Sequence, residues 1–351
     1  MRQKSDLMRE FGSDFHFVYS PYTYQFPLEE YFRIQYYANG RHAIQALIRY
    51  KLFSQKWKRI WLPEYFCYQV VDAIKQTGIC TMFYADHPLL VNDDAIIAQL
   101  PFENGDVLLR MNYFGLRSWR DNTEIPIEVI EDHSHDFLSS WAFHSNADYC
   151  IVSLRKTLPL TEGGILWSPL AKDLPFELLS TETNEMLSSE RLNAMLLKKM
   201  YLEKKFEDKD YFRKKYIDTE QRLDCLALSG ISSIDSYLLK HIDVEFVYQK
   251  KRKNWRLLTS LLKKEIEYLL PENLERSTPF SLIMNFDSDE KRERFRSLLI
   301  KNQIYPALLW VIPDGHKNVN DKLHSLLSIH CDVRYLDRDI EYLALRMNDL
   351  L

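Results

Sequence analysis

Glycine is scarce in this chain, with nine residues among 351. Few places are therefore left for the Gly-rich loops with which many proteins bind nucleotides, so each glycine beside a predicted strand is informative. Cysteine is also scarce: the five residues are far apart, odd in number, and include no C-x-x-C pair. We expect neither a disulfide framework nor a four-cysteine zinc site, and a reducing cytoplasm fits best.

Long apolar runs and a strong charge bias are absent as well. The longest apolar stretch, near residues 304–313, is too short to span a bilayer, and residues 1–14 lack the apolar core of a secretory signal. The formal net charge is −4, from 46 Lys+Arg against 50 Asp+Glu, whereas a generic polyanion binder is usually basic. We therefore expect a cytoplasmic protein with neither a membrane nor a nucleic acid as partner.

The rest of the composition is that of a globular protein of about two domains, with 46% hydrophobic and 27% charged residues. From about residue 40 to residue 167, short apolar runs alternate with helical patterns; among them we predict a helix over residues 42–52 and a strand over residues 80–84. This alternation is typical of a mostly parallel, doubly wound sheet with buried strands. The last part of the chain, residues 265–351, predicts a smaller α/β unit. Its expected elements are a strand at 280–285, a helix at 288–301, a strand at 307–311 and a closing helix after Asp337.

These patterns divide the chain into three parts. We predict an aromatic-rich N-terminal segment at residues 1–38, a large α/β domain at 39–245 and a small C-terminal domain at 246–351. Residues 183–222 are heavily charged, and we interpret them as a solvated helix or excursion because charged helix faces usually face water. Residues 232–262 have one long helical pattern.

Three segments could carry chemistry. Asn39 and Gly40 form a turn that opens a helix, where free N–H groups can bind phosphate, although a plain glycine turn explains the same pattern. Asp132 ends an apolar strand, the position at which open α/β sheets bind ligands. Lys156 follows the apolar strand that ends at Ser153. Desolvation there would make it a Schiff-base nucleophile, and the alternative is a basic turn that faces solvent.

Asp132 also lies in a cluster that could suggest metal ligation, together with His133, His135 and Asp136. The two histidines are two positions apart, so they would point the same way on a strand but apart on a helix. No second group of Cys or His residues accompanies them. We therefore predict no metal site, and a solvated polar loop after the strand is the alternative interpretation.

The order of the three segments resembles that of the DegT-type aminotransferases, the sugar-nucleotide branch of the fold-type I pyridoxal phosphate (PLP) enzymes. In that family a phosphate-binding turn is followed by Asp-x-x-His/Gln, a Phe-Ser-Phe strand, the Schiff-base lysine and Gly-Glu-Gly-Gly. Here Asp132 and His135 match Asp-x-x-His, and Ser153 matches the serine. Lys156 lies six residues before Glu162, the spacing that the family's lysine and Glu-Gly-Gly predict.

Further matches extend the likeness to roughly residues 38–351. Residues 59–73 resemble the family's strand, Pro turn and helix, and residues 112–115 resemble its Tyr-Phe-Gly at a strand end. Residues 325–350 resemble its Leu-Ser-Leu-Pro-x-Asp-x-Arg-Tyr ending. The ordered set is more specific than any one of these matches.

The resemblance implies both a fold and a reaction. The expected fold is α/β and PLP-transferase type I-like, with a large, mostly parallel sheet domain plus a smaller C-terminal α/β domain. The expected activity is that of a PLP-dependent aminotransferase acting on a nucleotide-linked keto-sugar, in surface-polysaccharide or amino-sugar biosynthesis, with an amino acid as donor. A homodimer is implied as well.

The resemblance also assigns roles to residues. Lys156 would form the Schiff base with PLP and later move a proton, Asp132 would pair with the pyridine nitrogen, and His135 would lie near the ring. These three residues form the expected catalytic set. The expected cofactor-binding set is Gly40, Arg41, His42, Tyr65, Phe66, Asp132, Ser153 and Lys156.

The sequence departs from the family pattern at three places. Arg41 and His42 follow the glycine where the family has a small hydroxyl residue. The segment from Ser153 to Lys156 is two residues shorter than the pattern. The family's Gly-x-Asn-x-Arg-Met segment, which helps to complete the neighbouring subunit's site, is not visible, and residues 228–232 are its nearest counterpart.

Two other interpretations therefore stay open. The first is a divergent homologue of the same fold with another PLP reaction or without transaminase activity. The second is an unrelated α/β protein, for example a nucleotide-sugar transferase or a metal hydrolase that uses Asp132 and His135.

Overall fold

Seven strands of the chain form one mixed sheet, and helices pack around it. The computed structural model describes residues 10–90, 92–310 and 325–351. In chain order the elements are β1 (Phe11–Gly12), β2 (Ile34–Tyr37), α1 (Gly40–Phe53), β3 (Arg59–Pro63), α2 (Tyr68–Lys75), β4 (Cys80–Tyr84), α3 (Asp94–Ile97), β5 (Asp106–Met111), β6 (Glu128–Asp132), α4 (Ser140–His144), β7 (Tyr149–Ser153), β8 (Gly164–Trp167), α5 (Glu182–Leu202), α6 (Lys209–Asp224), α7 (Ser233–Leu239), α8 (Val244–Leu261), β9 (Leu282–Asn285), α9 (Asp289–Lys301), β10 (Ile304–Tyr305), β11 (Leu326–Ile329) and α10 (Asp337–Leu350).

The large sheet has the strand order β2-β8-β7-β6-β5-β3-β4. The five strands from β7 to β4 are parallel, while β8 runs antiparallel to both of its neighbours. The predicted mostly parallel α/β sheet is therefore confirmed. The apolar runs of β5, β6 and β7 are buried, as strands covered on both faces require.

The direction of β8 decides which residues meet at one edge. Since β2 and β7 are both antiparallel to β8, they run parallel to each other, and their carboxyl ends lie at the same edge of the sheet. The register aligns Tyr37 and Ser153 with Gly164. The glycine turn after β2 therefore lies next to the end of β7, far from it in sequence.

Helix α1 begins at Gly40 because Asn39 caps it. The Asn39 side chain accepts a hydrogen bond from the His42 N–H at 2.9 Å, which satisfies one of the free donors at the helix start. Its apolar positions are buried against β7 and β8: Ala43, Ile44, Leu47 and Ile48. The helix predicted over residues 42–52 is confirmed.

The N-terminal part of the chain joins two regions. β1 pairs in parallel with β10, and the Gly12 N–H donates to the Tyr335 hydroxyl at 2.6 Å. Further along, β2 forms the edge strand of the large sheet, so residues 34–37 contribute to that sheet although we grouped them with residues 1–38. The division at 39–245 and 246–351 stays a prediction.

The charged residues 183–222 form α5 and α6, which pack against each other. The expectation of a solvated excursion was wrong for one face. Arg191 and Lys198 are buried there, and the Lys198 ammonium donates to the Asp14 carbonyl at 2.6 Å and pairs with Glu10 at 3.3 Å. These buried charges therefore bind the N-terminal segment inside the protein. The local sequence does not reveal this pairing.

The C-terminal region contains a two-stranded antiparallel sheet of β9 and β11. The helix predicted over 232–262 is two helices, α7 and α8, because Asp243 caps a new helix with its side chain. Of the strand predicted at 307–311, Ala307 forms only an isolated bridge with Ser328, and Val311 lies outside the described residues. None of the described helices is long and apolar enough to cross a membrane.

Candidate functional site

Three neighbouring parallel strands end in polar residues at one edge of the large sheet. Asn112 follows β5, Asp132 ends β6 and Ser153 ends β7. The Asn112 N–H donates to the Asp132 carbonyl at 3.0 Å, and the Ser153 N–H donates to the Ser134 hydroxyl at 2.9 Å. Because ligands bind at the carboxyl ends of strands in such sheets, this edge is the candidate site.

The glycine turn lies directly against this edge. A Cβ atom placed on Gly40 would lie 3.1 Å from the Ser153 Cβ, and one placed on Gly164 would lie 2.2 Å from the Asn39 carbonyl carbon. The backbone N–H groups at the start of α1 are thus brought to the end of β7. The structure therefore places together Gly40 and Ser153, the two residues expected to hold a phosphate.

The next two residues of that turn are engaged elsewhere. The Arg41 guanidinium donates to the Asp224 carboxylate at 2.5 Å. The His42 ring accepts from the Ser229 N–H at 3.3 Å through Nδ1, and its Nε2 lies 3.1 Å from the Leu226 carbonyl. Burial lowers the pKa of His42 to about 4, so the ring is neutral at pH 7. Both side chains hold α1 against residues 223–229.

Lys156 lies at the end of the turn Leu154–Lys156, directly after β7. Among the described residues its ammonium makes no hydrogen bond and no ion pair. Its neighbour Arg155 is tied to the Glu220 carboxylate at 3.1 and 2.5 Å. Of the basic pair, Arg155 therefore has a structural role, whereas Lys156 is left available as a nucleophile.

Lys156 also lines a cavity with a volume of about 740 Å³. Residues 13–15, helix α6 and residues 305–307 contribute its walls. The charged side chains that line it are Lys156, Arg155, Arg191, Lys209, Arg213, Arg296 and Arg334 on the cationic side and Glu10, Asp14, Glu220 and Asp224 on the anionic side. The excess of cations favours an anionic ligand.

His135 is fully buried behind Lys156. Its Nδ1 accepts a hydrogen bond from the Phe114 N–H at 3.0 Å, so a neutral ring carries its proton on Nε2, which has no partner among the described residues. Burial, reinforced by the charges of Lys156 and Lys251, lowers the pKa of His135 well below its ordinary value. His135 is therefore a neutral ring with a free, buried donor.

A group of aromatic rings surrounds the Trp310 indole beside Lys156. The Lys156 ammonium lies 5.2 Å from the centre of the indole. The ring centres of Tyr65, Phe66 and His135 lie 5.6, 6.0 and 5.5 Å from that of Trp310. The indole fills the space between Lys156, Tyr65, Phe66 and His135. We call this space the ring slot. Tyr65 and Phe66, both expected near a cofactor, lie at this slot.

Asp132 is nearly buried at the end of β6. Its Oδ1 accepts from the Ser134 N–H at 2.8 Å, which fixes the carboxylate at the sheet edge. Among the described residues, the large cavity is lined by Lys156 but not by Asp132 or His135. Of the residues at the ring slot, the cavity therefore shares only Lys156.

The Asp132–Asp136 segment does not converge on one metal site. His133 turns away to Glu131, with 3.0 Å between Nε2 and Oε2, and Asp136 accepts from the Thr278 N–H at 2.7 Å. Glu131, His133 and Cys150 do come together, fully buried. There the Ser145 hydroxyl donates to Glu131 at 2.6 Å, so the carboxylate already belongs to a hydrogen-bonded network.

Sequence reasoning missed several residues of the site. Both side-chain atoms of Asn112 are buried without a partner among the described residues, although the residue was noted only as part of a strand end. Trp310 gave no signal, because its position depends on contacts that are remote in sequence. Glu162 and Asp235 form a buried acidic pair near the turn, and burial raises the pKa of both carboxyls.

No family model and no curated protein sequence matches the chain. Solved structures do: PseC from Helicobacter pylori, an aminotransferase involved in the biosynthesis of pseudoaminic acid, has a TM-score of 0.65 and 14% identity and covers 97% of this chain and 99% of that chain. A DegT/DnrJ/EryC1/StrS aminotransferase from Brucella abortus has a TM-score of 0.59 and 14% identity, covering 94% and 91%.

A third structure is the PLP-form of Spr1654 from Streptococcus pneumoniae, a protein named for sugar aminotransferase activity. Its TM-score is 0.60 at 13% identity, with 96% of this chain and 100% of that chain covered. The chain has the fold of the DegT-type aminotransferases. The expected fold-type I architecture is thereby confirmed over nearly the whole length.

The residues at the sheet edge fit PLP. Lys156 offers an amine with no ionic partner among the residues that the structure describes, and Asp132 offers a carboxylate for a ring nitrogen. The Nε2 of His135 and the amide of Asn112 are orphaned buried polar atoms that a polar ligand would satisfy. The indole of Trp310 demonstrates that the slot beside Lys156 accepts a flat aromatic ring.

Proposed function

We propose that this chain is a PLP-dependent aminotransferase that acts on a nucleotide-linked keto-sugar, in amino-sugar or surface-polysaccharide biosynthesis. One observation carries the proposal. On a DegT-type fold, the Lys156 ammonium lies beside an aromatic slot, at the edge where the ends of β6 and β7 meet the glycine turn, and it pairs with no residue in the described part of the chain.

Each residue of the edge has a function in this proposal. When bound, PLP supplies an electron sink for the electrons of a bond broken at the substrate carbon. Lys156 holds the cofactor covalently through Nζ and, once released, carries a proton on the same atom. Asp132 keeps the ring nitrogen protonated by its negative charge, while the backbone N–H groups at Gly40 and the Ser153 hydroxyl bind the phosphate.

The neutral state of His135 matters to this arrangement. A histidine with its proton on Nε2 and Nδ1 held by the Phe114 N–H can donate to a ring oxygen without adding positive charge. Burial keeps it neutral over the physiological range. We propose that His135 orients the ring and does not itself transfer the proton.

The cavity that Lys156 lines supports an anionic substrate. Seven cationic and four anionic side chains line it, and several of the cations are already paired, as Lys209 is with Glu10 at 2.6 Å. Arg213 and Arg296 face the same space, and each pairs with an acidic side chain of its own helix, Asp210 at 3.8 Å and Glu293 at 3.0 Å. A nucleotide diphosphate supplies the negative charges that such a wall attracts. An amino acid is the proposed donor.

We also propose a homodimer, from the resemblance, and a cytoplasmic location, from the five scattered cysteines. Light scattering on the eluted protein would give about twice the 42.0 kDa chain mass for a dimer. A monomer at micromolar concentration would contradict the proposed dimer. It would not test the proposed cofactor chemistry.

A second candidate is a homologue of the same fold with another PLP reaction or without transaminase activity. Two observations favour it: Arg41 is bound to Asp224 and does not supply charge at the phosphate turn, and Trp310 fills the ring slot. The two candidates differ only after the cofactor is bound, so a cofactor test comes first.

The first experiment is the visible absorption spectrum after incubation with PLP and desalting, before and after borohydride. We expect an absorption band that borohydride abolishes, and a reduced adduct on the peptide that contains Lys156. Lys156→Ala should lack both. Lys253→Ala, a lysine paired with Asp337 on the outer face of α8, is the matched control and should retain both.

The second experiment separates the two candidates. Loaded protein is mixed with L-glutamate alone, and loss of the band with formation of 2-oxoglutarate is measured. A half-reaction supports the aminotransferase, and nucleotide-linked keto-sugars are then screened as acceptors. A stable band with no oxo acid would favour the second candidate. An uncoloured wild type would exclude the aminotransferase and any other PLP reaction, and would leave only a homologue without transaminase activity.

A further inference from the structure

The strongest unexplained feature of the site is the position of Trp310. Its indole lies 5.2 Å from the Lys156 ammonium and 5.5 Å from the His135 ring, with only 21° between the His135 and indole planes. Tyr65 and Phe66 pack against it at 5.6 and 6.0 Å. The slot that the cofactor ring needs in the proposed function already contains a ring that belongs to the chain.

We propose that Trp310 is an internal competitor for the cofactor ring, so that its indole must leave the slot before PLP can bind. This inference rests on the proposed function and adds a form of regulation to it. Loading of the site then depends on how readily this one side chain is displaced, and the chain without cofactor exists in a closed form.

The distances leave no room for a third ring between His135 and the indole. A ring inserted between two parallel faces needs about 3.5 Å on each side, or roughly 7 Å between those faces. The His135 and Trp310 centres are 5.5 Å apart. A ring joined through one carbon to Nζ would have its centre roughly 4 Å from that nitrogen, which is the region that the indole borders at 5.2 Å.

The contacts of Trp310 are of a kind that a similar ring can replace. Among the described residues, the indole makes ring contacts with Tyr65, Phe66, Phe114 and His135 and a cation–π contact with Lys156. A flat cofactor ring offers the same faces to these partners. The slot can therefore hold either of two chemically similar rings. One is the Trp310 indole, which is part of the chain, and the other is the ring of the free cofactor.

The test compares PLP binding to cofactor-free wild type, Trp310→Ala, Trp310→Phe and Trp119→Phe by stopped-flow absorbance and equilibrium titration. Trp119 is a partly exposed tryptophan that is bonded to His144 and serves as the matched control. We expect Trp310→Ala to bind PLP at least fivefold faster and at least threefold more tightly than wild type. Trp310→Phe should lie between the two, and Trp119→Phe should equal wild type.

A second readout follows Trp310 itself. Its emission, obtained as wild type minus Trp310→Phe, should become more accessible to acrylamide when PLP binds. If Trp310→Ala does not fold, the PLP-binding rates of Trp310→Phe and the acrylamide quenching are sufficient to test the inference. Binding that is weaker or unchanged in the variants would overturn the inference, because Trp310 would then stack on the cofactor or be uninvolved, while the proposed function would stand.

The remaining outcomes separate the inference from the proposed function. If only the Trp310 variants bind PLP, the competitor is confirmed and the wild-type chain is not an active aminotransferase. If neither wild type nor the variants bind PLP, the proposed function is wrong, and the inference is overturned with it because the slot accepts no cofactor ring.

Discussion

Gly40 and Ser153 touch across the edge of the large sheet, although 113 positions separate them in the sequence: a Cβ atom on Gly40 would lie 3.1 Å from the Ser153 Cβ and 3.3 Å from its backbone nitrogen. The contact exists because β2 and β7 end at the same edge. It brings the N–H groups at the start of α1 next to the serine hydroxyl, which together form the proposed phosphate site.

Replacing Gly40 with alanine should therefore weaken PLP binding at least tenfold, because the new methyl group pushes the helix start away from Ser153. Overpacking of this kind typically costs about 1–3 kcal/mol of unfolding free energy, partly offset by the better helix propensity of alanine. Titration with PLP and urea unfolding measure the two effects. Gly40→Ala combined with Ser153→Gly should recover the stability, and no recovery would mean that the crowding lies elsewhere.

Arg41→Gln should leave PLP affinity within about threefold of wild type. The guanidinium is bound to Asp224, so its loss affects the packing of α1 against α6 and not the phosphate turn. We expect a loss of about 0.5–1 kcal/mol in unfolding free energy, typical of a partly exposed ion pair. A double-mutant cycle with Asp224→Asn measures it. A tenfold loss of PLP affinity would show that Arg41 binds the phosphate.

Asp132→Asn should retain bound PLP but lower the transamination rate by a factor on the order of 10²–10³. The asparagine oxygen can still accept from the Ser134 N–H, so the sheet edge keeps its shape while the charge is lost. The rate of the glutamate half-reaction is the measurement. Asp136→Asn removes a carboxylate that binds Thr278 and is the control. Equal losses in both variants would argue against a special role for Asp132.

Glu162→Gln should make the protein more stable at pH 8 but not at pH 5. Burial and the nearby Asp235 raise the pKa of Glu162 from 4.5 to about 9. Between these two values the unfolded chain loses this proton while the folded chain keeps it, so wild-type stability falls as the pH rises. Glutamine carries no such charge, and its oxygen can still accept from Asn184 and Ser232.

We expect a gain of about 1–3 kcal/mol at pH 8, measured as the free energy of urea unfolding. The exposed Glu290→Gln is the control and should change nothing at either pH. An identical pH dependence for wild type and Glu162→Gln would contradict the raised pKa.

The local sequence was sufficient for most elements of the large sheet but not for the edge strand β2, which lies in the N-terminal segment that we grouped apart. β4 at Cys80–Tyr84 was predicted with the same bounds, because an apolar run follows the turn at Gly78, whose φ is +87°. The candidate site was also largely predictable. Asp132, Ser153 and Lys156 each follow an apolar run, and the ends of neighbouring parallel strands meet at one edge.

What the sequence could not predict depends on partners that are far away along the chain. Arg41 has its hydrogen-bond partner, Asp224, 183 positions away. The packing of α6 determines whether the guanidinium binds this carboxylate or a phosphate. Trp310 gave no periodic signal, and its place beside Lys156 follows from the docking of the C-terminal region. The buried charges of α5 have the composition of a solvated helix, since burial is a property of the fold.

The pairing of β1 with β10 sets a limit on how this chain can fold during synthesis. Gly12 donates to Tyr335, 323 positions later, and Arg334 donates to the carbonyls of Gly12, Ser13 and Asp14. At about 5–20 residues per second, residues 10–14 must wait roughly 15–65 s on the ribosome before their partners emerge. The wall that these residues contribute to the cavity is therefore among the last parts to form, and a chain whose translation stops early cannot complete it.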